Sequence, residues 1–243
     1  MTVKVKVWDL PLRLFHWSLV LAVTAAIVTG EIGGAWADWH GRAGLLVLGL
    51  LVFRLIWGFV GSTHARFASF FPTPSKVLGY LRGAWQGVGH NPLGALSVLA
   101  LLTILALQVG TGLFANDDIT FEGPLFHLID KDLSDKLTGW HARIFWGLVS
   151  LLGLHIASIV FYARVKKHNL VGPMLTGHKE VPKALATPSE GHGLGRFVTA
   201  SALSGVLVWT VANGLPERLI NSINANAASV DAEEAEEPES AAF

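Results

Sequence analysis

Long apolar runs alternate with shorter polar connections along the chain, and this pattern predicts helices that cross a membrane. A helix that spans a bilayer core needs roughly 17 to 25 mostly apolar residues. Five runs have that length, at residues 14–30, 40–60, 92–114, 140–162 and 197–215. The fifth is the most polar, since it contains serine, threonine and asparagine. The pattern predicts an all-α membrane protein, a four-helix transmembrane bundle with a fifth transmembrane helix.

The connections divide the chain into four parts. We expect residues 1–170 to form the bundle, 171–195 a cytoplasmic connection, 196–216 the additional transmembrane helix, and 217–243 an acidic periplasmic tail. The tail has six acidic residues after Asn221 and no basic residue, which predicts disorder. In the connection after the second span, the stretch that begins at Pro74 predicts a short helix lying in the membrane interface.

The distribution of basic residues predicts the orientation of the chain in a bacterial inner membrane. With the N-terminus in the cytoplasm, thirteen of the 18 Lys and Arg residues fall on the cytoplasmic side, as the positive-inside rule requires. Five spans then place the C-terminus in the periplasm. The third connection, residues 115–139, has six acidic residues and two lysines, so the periplasmic side is predicted to be negatively charged.

Composition excludes several classes of protein. The chain contains no cysteine, which removes disulfides, iron–sulfur ligation and covalently attached c-type haem. Its formal net charge of zero argues against nucleic-acid binding, which requires a basic surface. Any metal or cofactor is therefore held by histidine, methionine or oxygen ligands.

The ten histidines fall into two groups. Six lie in connections or at segment edges, where a solvated or interfacial imidazole is expected: His64, His90, His127, His168, His178 and His192. Four lie within or at the ends of apolar runs: His16, His40, His141 and His155. A polar side chain at membrane depth is costly unless it is paired, so these four are the candidate functional residues.

The four histidines pair by depth. His141 and His155 are fourteen residues apart, which separates them by about 21 Å on nearly the same face of one helix. His40 begins the second span at the level of His141, and His16 lies near the start of the first span at the level of His155. The spacing predicts two stacked bis-histidine sites in one bundle.

Two imidazoles at each level indicate haem rather than zinc. Zinc takes four ligands, whereas two histidines on opposite sides of a flat macrocycle are the axial ligands of haem b. Glycines beside the histidines, at positions 41, 44, 49, 147 and 153, either admit a flat ring or serve ordinary helix packing. The prediction is two non-covalently bound b haems.

Several cationic or ionisable residues are secondary candidates. Arg42, Arg54 and Arg143 lie near the ends of the predicted haem-bearing spans, where they either balance haem propionates or extend to the membrane surface. His64 and Arg66, in "GSTHARF", are candidate contacts for a quinone, and contact with lipid headgroups is the alternative.

Three segments resemble the prokaryotic cytochrome b561 family, which includes the cytochrome b subunits of nickel–iron hydrogenases. They are "RLFHWSLVLAV", "WHGRAGLLVLGLLVFRLIWG" and "HARIFWGLVSLLGLH", and the resemblance covers roughly residues 8–170. It implies a four-helix bundle with two b haems whose ligands match His16, His40, His141 and His155. The leading "KVWDLPLRLFHW" is similar to a subgroup often accompanied by small c-type cytochromes.

The resulting hypothesis is transmembrane electron transfer in a respiratory chain, between the quinone pool and a periplasmic redox partner such as a c-type cytochrome. Iron with two histidine ligands has no open coordination site, so we expect an electron-transfer subunit rather than a stand-alone enzyme. Two alternatives stay open. One is a quinone reductase linked to superoxide or another small oxidant, and the other is an anchor subunit of a larger oxidoreductase such as a hydrogenase.

Overall fold

The computed structural model describes residues 1–186 and 193–236. In chain order its elements are β1 (Thr2–Lys6), α1 (Leu10–Ile32), α2 (Ala37–Val60), α3 (Phe67–Phe70), α4 (Pro74–Leu81), α5 (Pro92–Gly112), α6 (Lys131–Arg164), α7 (Val171–Thr176), β2 (His178–Pro182), α8 (Leu194–Ala212) and α9 (Leu215–Glu236). Within the described ranges, five helices are long and apolar enough to cross a membrane: α1, α2, α5, α6 and α8. This confirms the predicted helical membrane fold. His192, one of the six histidines expected to be solvated or interfacial, lies outside the described residues.

Polar capping residues set where three of the spanning helices begin. Asp9 accepts a hydrogen bond from the Leu12 backbone amide at 2.7 Å, and Asn91 accepts one from that of Gly94 at 2.7 Å. Asp130 caps α6 in the same way, at 2.8 Å from the Leu133 amide. Each cap satisfies an amide that the first helical turn leaves unpaired.

Helix α6 begins well before the predicted span. It has 34 residues and is about 51 Å long, so it extends beyond the bilayer core. The hydropathy pattern placed its start at Trp140, because residues 131–139 are polar. Those residues continue the helix from the Asp130 cap, and Lys131 pairs with Asp135 one turn later at 2.9 Å.

The spanning helices pack as two pairs, α1 with α2 and α5 with α6, and the fifth helix, α8, packs against the outside of α2. Helix α1 packs along α2, α5 packs along α6, and α2 also contacts α5. The backbone distance from α6 to α1 and α2 is larger than the distance within the α1–α2 and α5–α6 pairs. Contacts between α6 and these two helices are therefore made by side chains. Leu148, midway between His141 and His155 on α6, is buried among Val23, Val47 and other apolar residues at the centre of the bundle.

The fifth span, α8, packs on α2. A Cβ placed on Gly49 of α2 would lie 3.0 Å from Val208 Cγ2, so the glycine lets the two helices approach closely. Ala200 and Ser204 are the buried residues of α8, and the Ser204 hydroxyl donates to the Ala200 carbonyl at 2.8 Å. Gly49 therefore serves helix packing.

A two-stranded sheet, absent from the predicted elements, joins the N-terminus to the segment after α7. Strand β1 pairs antiparallel with β2, in register from Thr2 opposite Pro182 to Lys6 opposite His178. Val7, Val88 and Val181 form a small buried cluster beside this terminal sheet. Arg13 of α1 donates to the Leu175 carbonyl, which also ties α7 to the bundle.

The two ends of the bundle differ in charge and are named here accordingly. The basic face carries the terminal sheet, the 61–91 connection and α4, and α4 confirms the short helix predicted at Pro74. The acidic face carries the connection between α5 and α6. On that face the structure also has α9, where the sequence predicted disorder from residue 217. Its alanine- and glutamate-rich sequence has high helix propensity, which outweighs the low hydrophobicity up to Glu236.

Candidate cofactor sites

The structure brings His40 and His141 together at the acidic face. Their ring centroids are 5.9 Å apart and the ring planes are nearly perpendicular, at 85°. His40 lies in the first turn of α2, and His141 lies on the part of α6 that enters the membrane. The two imidazoles therefore approach each other across the gap between α2 and α6.

The δ nitrogens of both rings are held by backbone carbonyls. His40 Nδ1 lies 2.8 Å from the Ala26 oxygen of α1, and His141 Nδ1 lies 2.9 Å from the Gln108 oxygen of α5. A carbonyl accepts only, so each Nδ1 carries the proton and each Nε2 has the lone pair that binds a metal. Consistently, the Gln108 side-chain amide donates to His141 Nε2 at 3.1 Å. Such carbonyl partners orient metal-binding histidines and fix their tautomer.

Two glycines make room for these rings. A Cβ on Gly30 of α1 would lie 2.8 Å from His40 Nδ1, and one on Gly112 of α5 would lie 2.9 Å from His141 Cε1. Both distances are too short for a real Cβ contact, so a larger residue would displace the imidazole. The sequence interpretation considered glycines on α2 and α6 only. Gly30 and Gly112 lie at the matching depth on the neighbouring helices, a signal that was available in the sequence.

The His40–His141 pair opens into a cavity of about 600 Å³, within the usual size range of cofactor pockets. Its walls are mostly apolar and include Val23 and Phe145, while Asn116 and Asp117 lie at the rim. Phe121 lies over Gly41, where an added Cβ would be 2.9 Å from the phenylalanine ring. Three backbone amides, of Phe121, Ile119 and Thr120, hold the pKa of Asp117 below its usual value, so the rim is negatively charged.

His16 and His155 form the second pair, at the basic face. The two half-buried imidazoles lie near enough to interact electrostatically. The buried Nδ1 of His16 has no hydrogen-bond partner among the described residues. The structure thus brings together the four histidines as the two pairs that depth suggested, although the second pair has fewer polar partners of its own.

Arg54 is a buried cation at the same face, and both it and His16 act electrostatically on His90. Arg54 is fourteen residues after His40, the spacing that places His141 and His155 on one face of α6, so it shares the core-facing side of α2. Its side chain is 2% exposed and stacks over the Phe67 ring at 4.5 Å. Its Nη1 is buried and has no hydrogen-bond partner in the described part of the chain.

Asp9 is the carboxylate that interacts electrostatically with Arg54, and the sequence analysis did not identify it. It is 3% exposed and attracts the guanidinium electrostatically. Its Oδ2 accepts from the Ser62 hydroxyl at 2.5 Å and from the Trp57 indole at 3.1 Å. Asp9 therefore caps α1 and also fixes the start of the basic-face connection.

His90 is enclosed at the basic face, where the sequence predicted a solvated or interfacial ring. It packs between Trp8, at 4.5 Å, and Phe70, at 4.8 Å. Burial lowers its pKa, and the nearby Arg54, His64 and His16 lower it further. Its environment comes from contacts with residues far away in sequence, which explains why hydropathy around residue 90 gave no signal.

The buried nitrogens of Arg54, His64 and His90 indicate that an anionic ligand binds at the basic face. Burial also lowers the pKa of His64. Its Nε2, like His90 Nδ1, is buried and without a hydrogen-bond partner among the described residues. Burying an unsatisfied polar atom costs about 1–3 kcal/mol, so several together favour a ligand that supplies acceptors. Haem propionates are carboxylates of that kind, and the residues present fit the group.

The remaining secondary candidates lie elsewhere. Arg42 and Arg143 are exposed and stack on tryptophans of their own helices, Trp39 at 4.9 Å and Trp140 at 5.4 Å, outside the cavity lining. Arg66 lines a groove between α2 and α8, to which His64 does not contribute. The two quinone candidates thus lie on different surfaces.

These observations define a class of protein. A helical membrane bundle with imidazoles paired across its core has the architecture of membrane cytochromes, which hold haem b and pass electrons. Within the described residues, no group of three or more His, Cys, Asp or Glu side chains gathers to hold a bare metal ion.

The comparison with protein families identifies the chain more closely. The family model of prokaryotic cytochrome b561 matches residues 7–177, and the chain belongs to that family. It is therefore a b-type cytochrome that transfers electrons across a membrane.

Curated relatives match most of the chain at low identity. A protein of Azotobacter chroococcum mcd 1 is 27% identical over 217 residues, covering 71% of this chain and 87% of the relative. A protein of Escherichia coli strain K12 is 20% identical over 216 residues, covering 71% and 89%. Their names are "Probable Ni/Fe-hydrogenase B-type cytochrome subunit" and "Probable Ni/Fe-hydrogenase 1 B-type cytochrome subunit". No solved structure matches significantly.

Proposed function

We propose that the chain binds two b haems, one between His40 and His141 and one between His16 and His155, and relays electrons between them. The carbonyl contacts of His40 and His141 carry this proposal, because they put the proton on each Nδ1 and the lone pair on each Nε2. On His141, iron would take the place of the Gln108 amide that now donates to Nε2. The haems would supply one-electron iron chemistry. With a histidine on each side, neither iron would have an open position for oxygen or a substrate.

The protein's part is to hold the sites rigidly and to keep water out. Leu148 and its apolar neighbours form a dry layer between the two histidine levels. Both levels share α6 as a common support, so their separation of about 21 Å along the helix is fixed. Electron transfer then requires no movement of the backbone.

Arg54, with His64 and His90, is proposed to hold the propionates of the basic-face haem. The supporting observation is the group of buried nitrogens without partners among the described residues. Arg42 and Arg143 are the corresponding candidates for the acidic-face haem. Their side chains would have to leave Trp39 and Trp140 to reach it.

The proposed location is the bacterial inner membrane, with the basic face in the cytoplasm and the C-terminus in the periplasm. The excess of Lys and Arg on the basic face supports this orientation. Quinone is the proposed partner at the basic face, with His64 and Arg66 the first candidates for contact. The two line different surfaces, so a quinone near the haem would meet His64 rather than Arg66.

Two partners are proposed for the acidic face. The negatively charged connection, including the Asp117 carboxylate, favours a lysine-rich periplasmic c-type cytochrome. The names of the relatives favour a nickel–iron hydrogenase. The same negative charge disfavours superoxide as the electron donor, and bound haem would argue against a pure anchor role.

Haem stoichiometry tests the proposal. Purified wild-type protein should contain two acid-acetone-extractable b haems per chain, as measured from the pyridine haemochrome spectrum. His40→Ala and His155→Ala should each retain one. One haem in the wild type, or the loss of the same spectral component in both variants, would refute the proposed pairing.

A further inference from the structure

Helix α9 follows α8 directly, at the acidic face where α8 leaves the membrane. Helix α8 ends at Ala212 and α9 begins at Leu215, so the chain between these two residues spans at most about 11 Å. Gly214 forms the turn with a φ of 62°, and its carbonyl accepts a hydrogen bond from the Arg218 amide at 3.1 Å. The first turns of α9 therefore lie at the level where α8 leaves the bilayer.

An exposed tryptophan marks this level on α8. Trp209 lies in the last turn of α8 and is 60% exposed. Tryptophan is enriched where a membrane meets water, because its ring combines a large apolar surface with a polar N–H. Val206, one turn earlier on the same side of α8, is also 60% exposed. The lipid-facing surface of α8 therefore continues to the point where α9 begins.

The large apolar residues of α9 lie on one side of the helix and are named here the α9 stripe: Leu215, Leu219, Ile220 and Ile223. Asn221 and Ala225 lie on the opposite side. Leu219, Ile220 and Ile223 are 61%, 46% and 64% exposed, so the described parts of the chain leave the stripe largely uncovered.

The size and charge of the α9 stripe indicate what covers it. A stable protein interface takes about 800 Å² and 20–30 residues from each partner, far more than four side chains supply. Among the described helices, α9 is not one of the five that are long and apolar enough to cross the membrane. Its first turn contains one glutamate and one arginine, so it has no net charge to select an anionic surface. A short apolar stripe at the level of the bilayer surface matches the boundary between lipid headgroups and acyl chains.

We propose that α9 lies in the membrane interface at the acidic face, with the α9 stripe inserted among the lipid headgroups. Interfacial helices of this type bury their apolar face about 5–10 Å into the boundary between headgroups and acyl chains. Helix α9 follows the residues that the family model matches, so this contact belongs to the part of the chain added to the family bundle. It would fix the acidic-face end of α8, whose other end is held by the hydrogen bond from Arg196 to the Val60 carbonyl at 3.3 Å.

Site-directed spin labelling of the full chain tests the proposal. The chain contains no cysteine, so each introduced cysteine carries the only label. Leu219→Cys and Ile223→Cys place a label on the α9 stripe, and Asn221→Cys and Ala225→Cys place one on the opposite side. In phosphatidylcholine nanodiscs, the accessibility of each label is measured to oxygen, which partitions into lipid, and to a water-soluble nickel chelate. The ratio of oxygen to nickel accessibility should be several-fold higher at the two stripe positions.

Two double variants test whether the stripe causes the insertion. They carry the label at Ala227→Cys, one turn beyond Ile223 on the same side of α9. Leu219→Gln/Ile223→Gln removes apolar side chains but keeps good helix formers, and the oxygen-to-nickel ratio should fall. Asn221→Gln/Ala225→Gln, on the opposite side, is the matched control and should leave the ratio unchanged. Nanodiscs that contain phosphatidylglycerol should give the same pattern, because the first turn has no net charge.

Several outcomes would overturn the proposal. Similar ratios on both sides of α9 would indicate a helix surrounded by water. Low accessibility to both oxygen and nickel at positions 219 and 223 would indicate that protein covers the stripe. Equal responses to the two double substitutions would indicate a general loss of helix, and a pattern seen only with phosphatidylglycerol would indicate attachment by charge. None of these readouts depends on haem, so the proposal and the proposed function fail separately.

Discussion

The two histidine pairs of the bundle differ in what satisfies the polar atoms around them. At the acidic face, His40 and His141 have carbonyl partners on adjacent helices, and two glycines shape the space they occupy. At the basic face, the nitrogens of His16 and Arg54 are buried without hydrogen-bond partners among the described residues. The first site is thus preformed by the protein, whereas the second depends on its ligand for completion.

This difference implies that a bound cofactor stabilises the folded protein more at the basic face than at the acidic face. A ligand that binds only the folded state stabilises it, and it does so most where buried polar atoms would otherwise be unsatisfied. The basic-face site is also the one covered by the terminal sheet and the 61–91 connection. The predictions below test this contrast, from the largest expected effect to the smallest.

The largest effect is expected from removing one proposed haem ligand at each level. His155→Ala should destabilise the protein more than His40→Ala, by about 2 kcal/mol or more. Loss of the basic-face haem would leave the buried nitrogens of Arg54, His64 and His90 without the propionates proposed to bind them. Denaturant titration of the two purified variants, followed by tryptophan fluorescence, measures the difference. Equal destabilisation would contradict the idea that the two sites differ in their dependence on the cofactor.

The glycines of the acidic-face site provide a second test. Gly112→Ala should lower occupancy of that site, because the new Cβ would lie 2.9 Å from His141 Cε1. Gly110→Ala, on the same helix, is the matched control, since nothing lies within 4 Å of its Cβ position and it does not line the cavity. The haem-to-protein ratio should fall toward one in Gly112→Ala only. If both variants retain the wild-type ratio, the glycine does not shape the site.

Arg54 should tune the basic-face haem selectively. Arg54→Gln removes a buried positive charge, which disfavours the more negative reduced state, so the midpoint potential of one haem should fall by on the order of 60 mV. Arg54→Lys should recover part of the shift, and Arg42→Gln serves as the exposed control. Redox titration in the visible region measures both haems. A shift of both potentials by the same amount would show that Arg54 has no preference for one site.

The smallest effect concerns pH. Because the pKa of His90 is lowered in the folded state, folding is favoured above the unfolded pKa of about 6.5, and this contribution is lost as pH falls. Between pH 7 and pH 5 the haem-free wild type should lose about 1 kcal/mol more stability than haem-free His90→Phe. Denaturation midpoints at the two pH values provide the comparison. An identical loss in both proteins would mean that His90 is accessible to protons when folded.

The parts of the fold that follow from local pattern were predicted, and those that depend on distant contacts were not. Hydropathy located the spanning helices, and helical geometry gave the depth of the four histidines. Hydropathy carries no information on which segments meet across 170 residues, so the pairing of β1 with β2 was missed. For the same reason, the enclosure of His90 by Trp8 and Phe70 was not predicted.

The site was predicted to a similar extent. The histidines proposed to bind a cofactor, and their spacing, can be recognised within single helices. His141 and His155 on α6 are the clearest case. The atoms that orient those residues come from neighbouring helices. Every residue has a backbone carbonyl, so the sequence does not show that those of Ala26 and Gln108 bind the imidazoles. Only the three-dimensional packing shows it.

The terminal sheet imposes an order on assembly during synthesis. Strand β1 leaves the ribosome before the spanning helices, but its partner ends at Pro182, after four membrane helices have been made. At typical translation rates of about 5–20 residues per second, the first strand waits roughly 10–35 s for the second. The sheet can therefore close over the basic face only when the four helices of the haem-binding bundle have been translated.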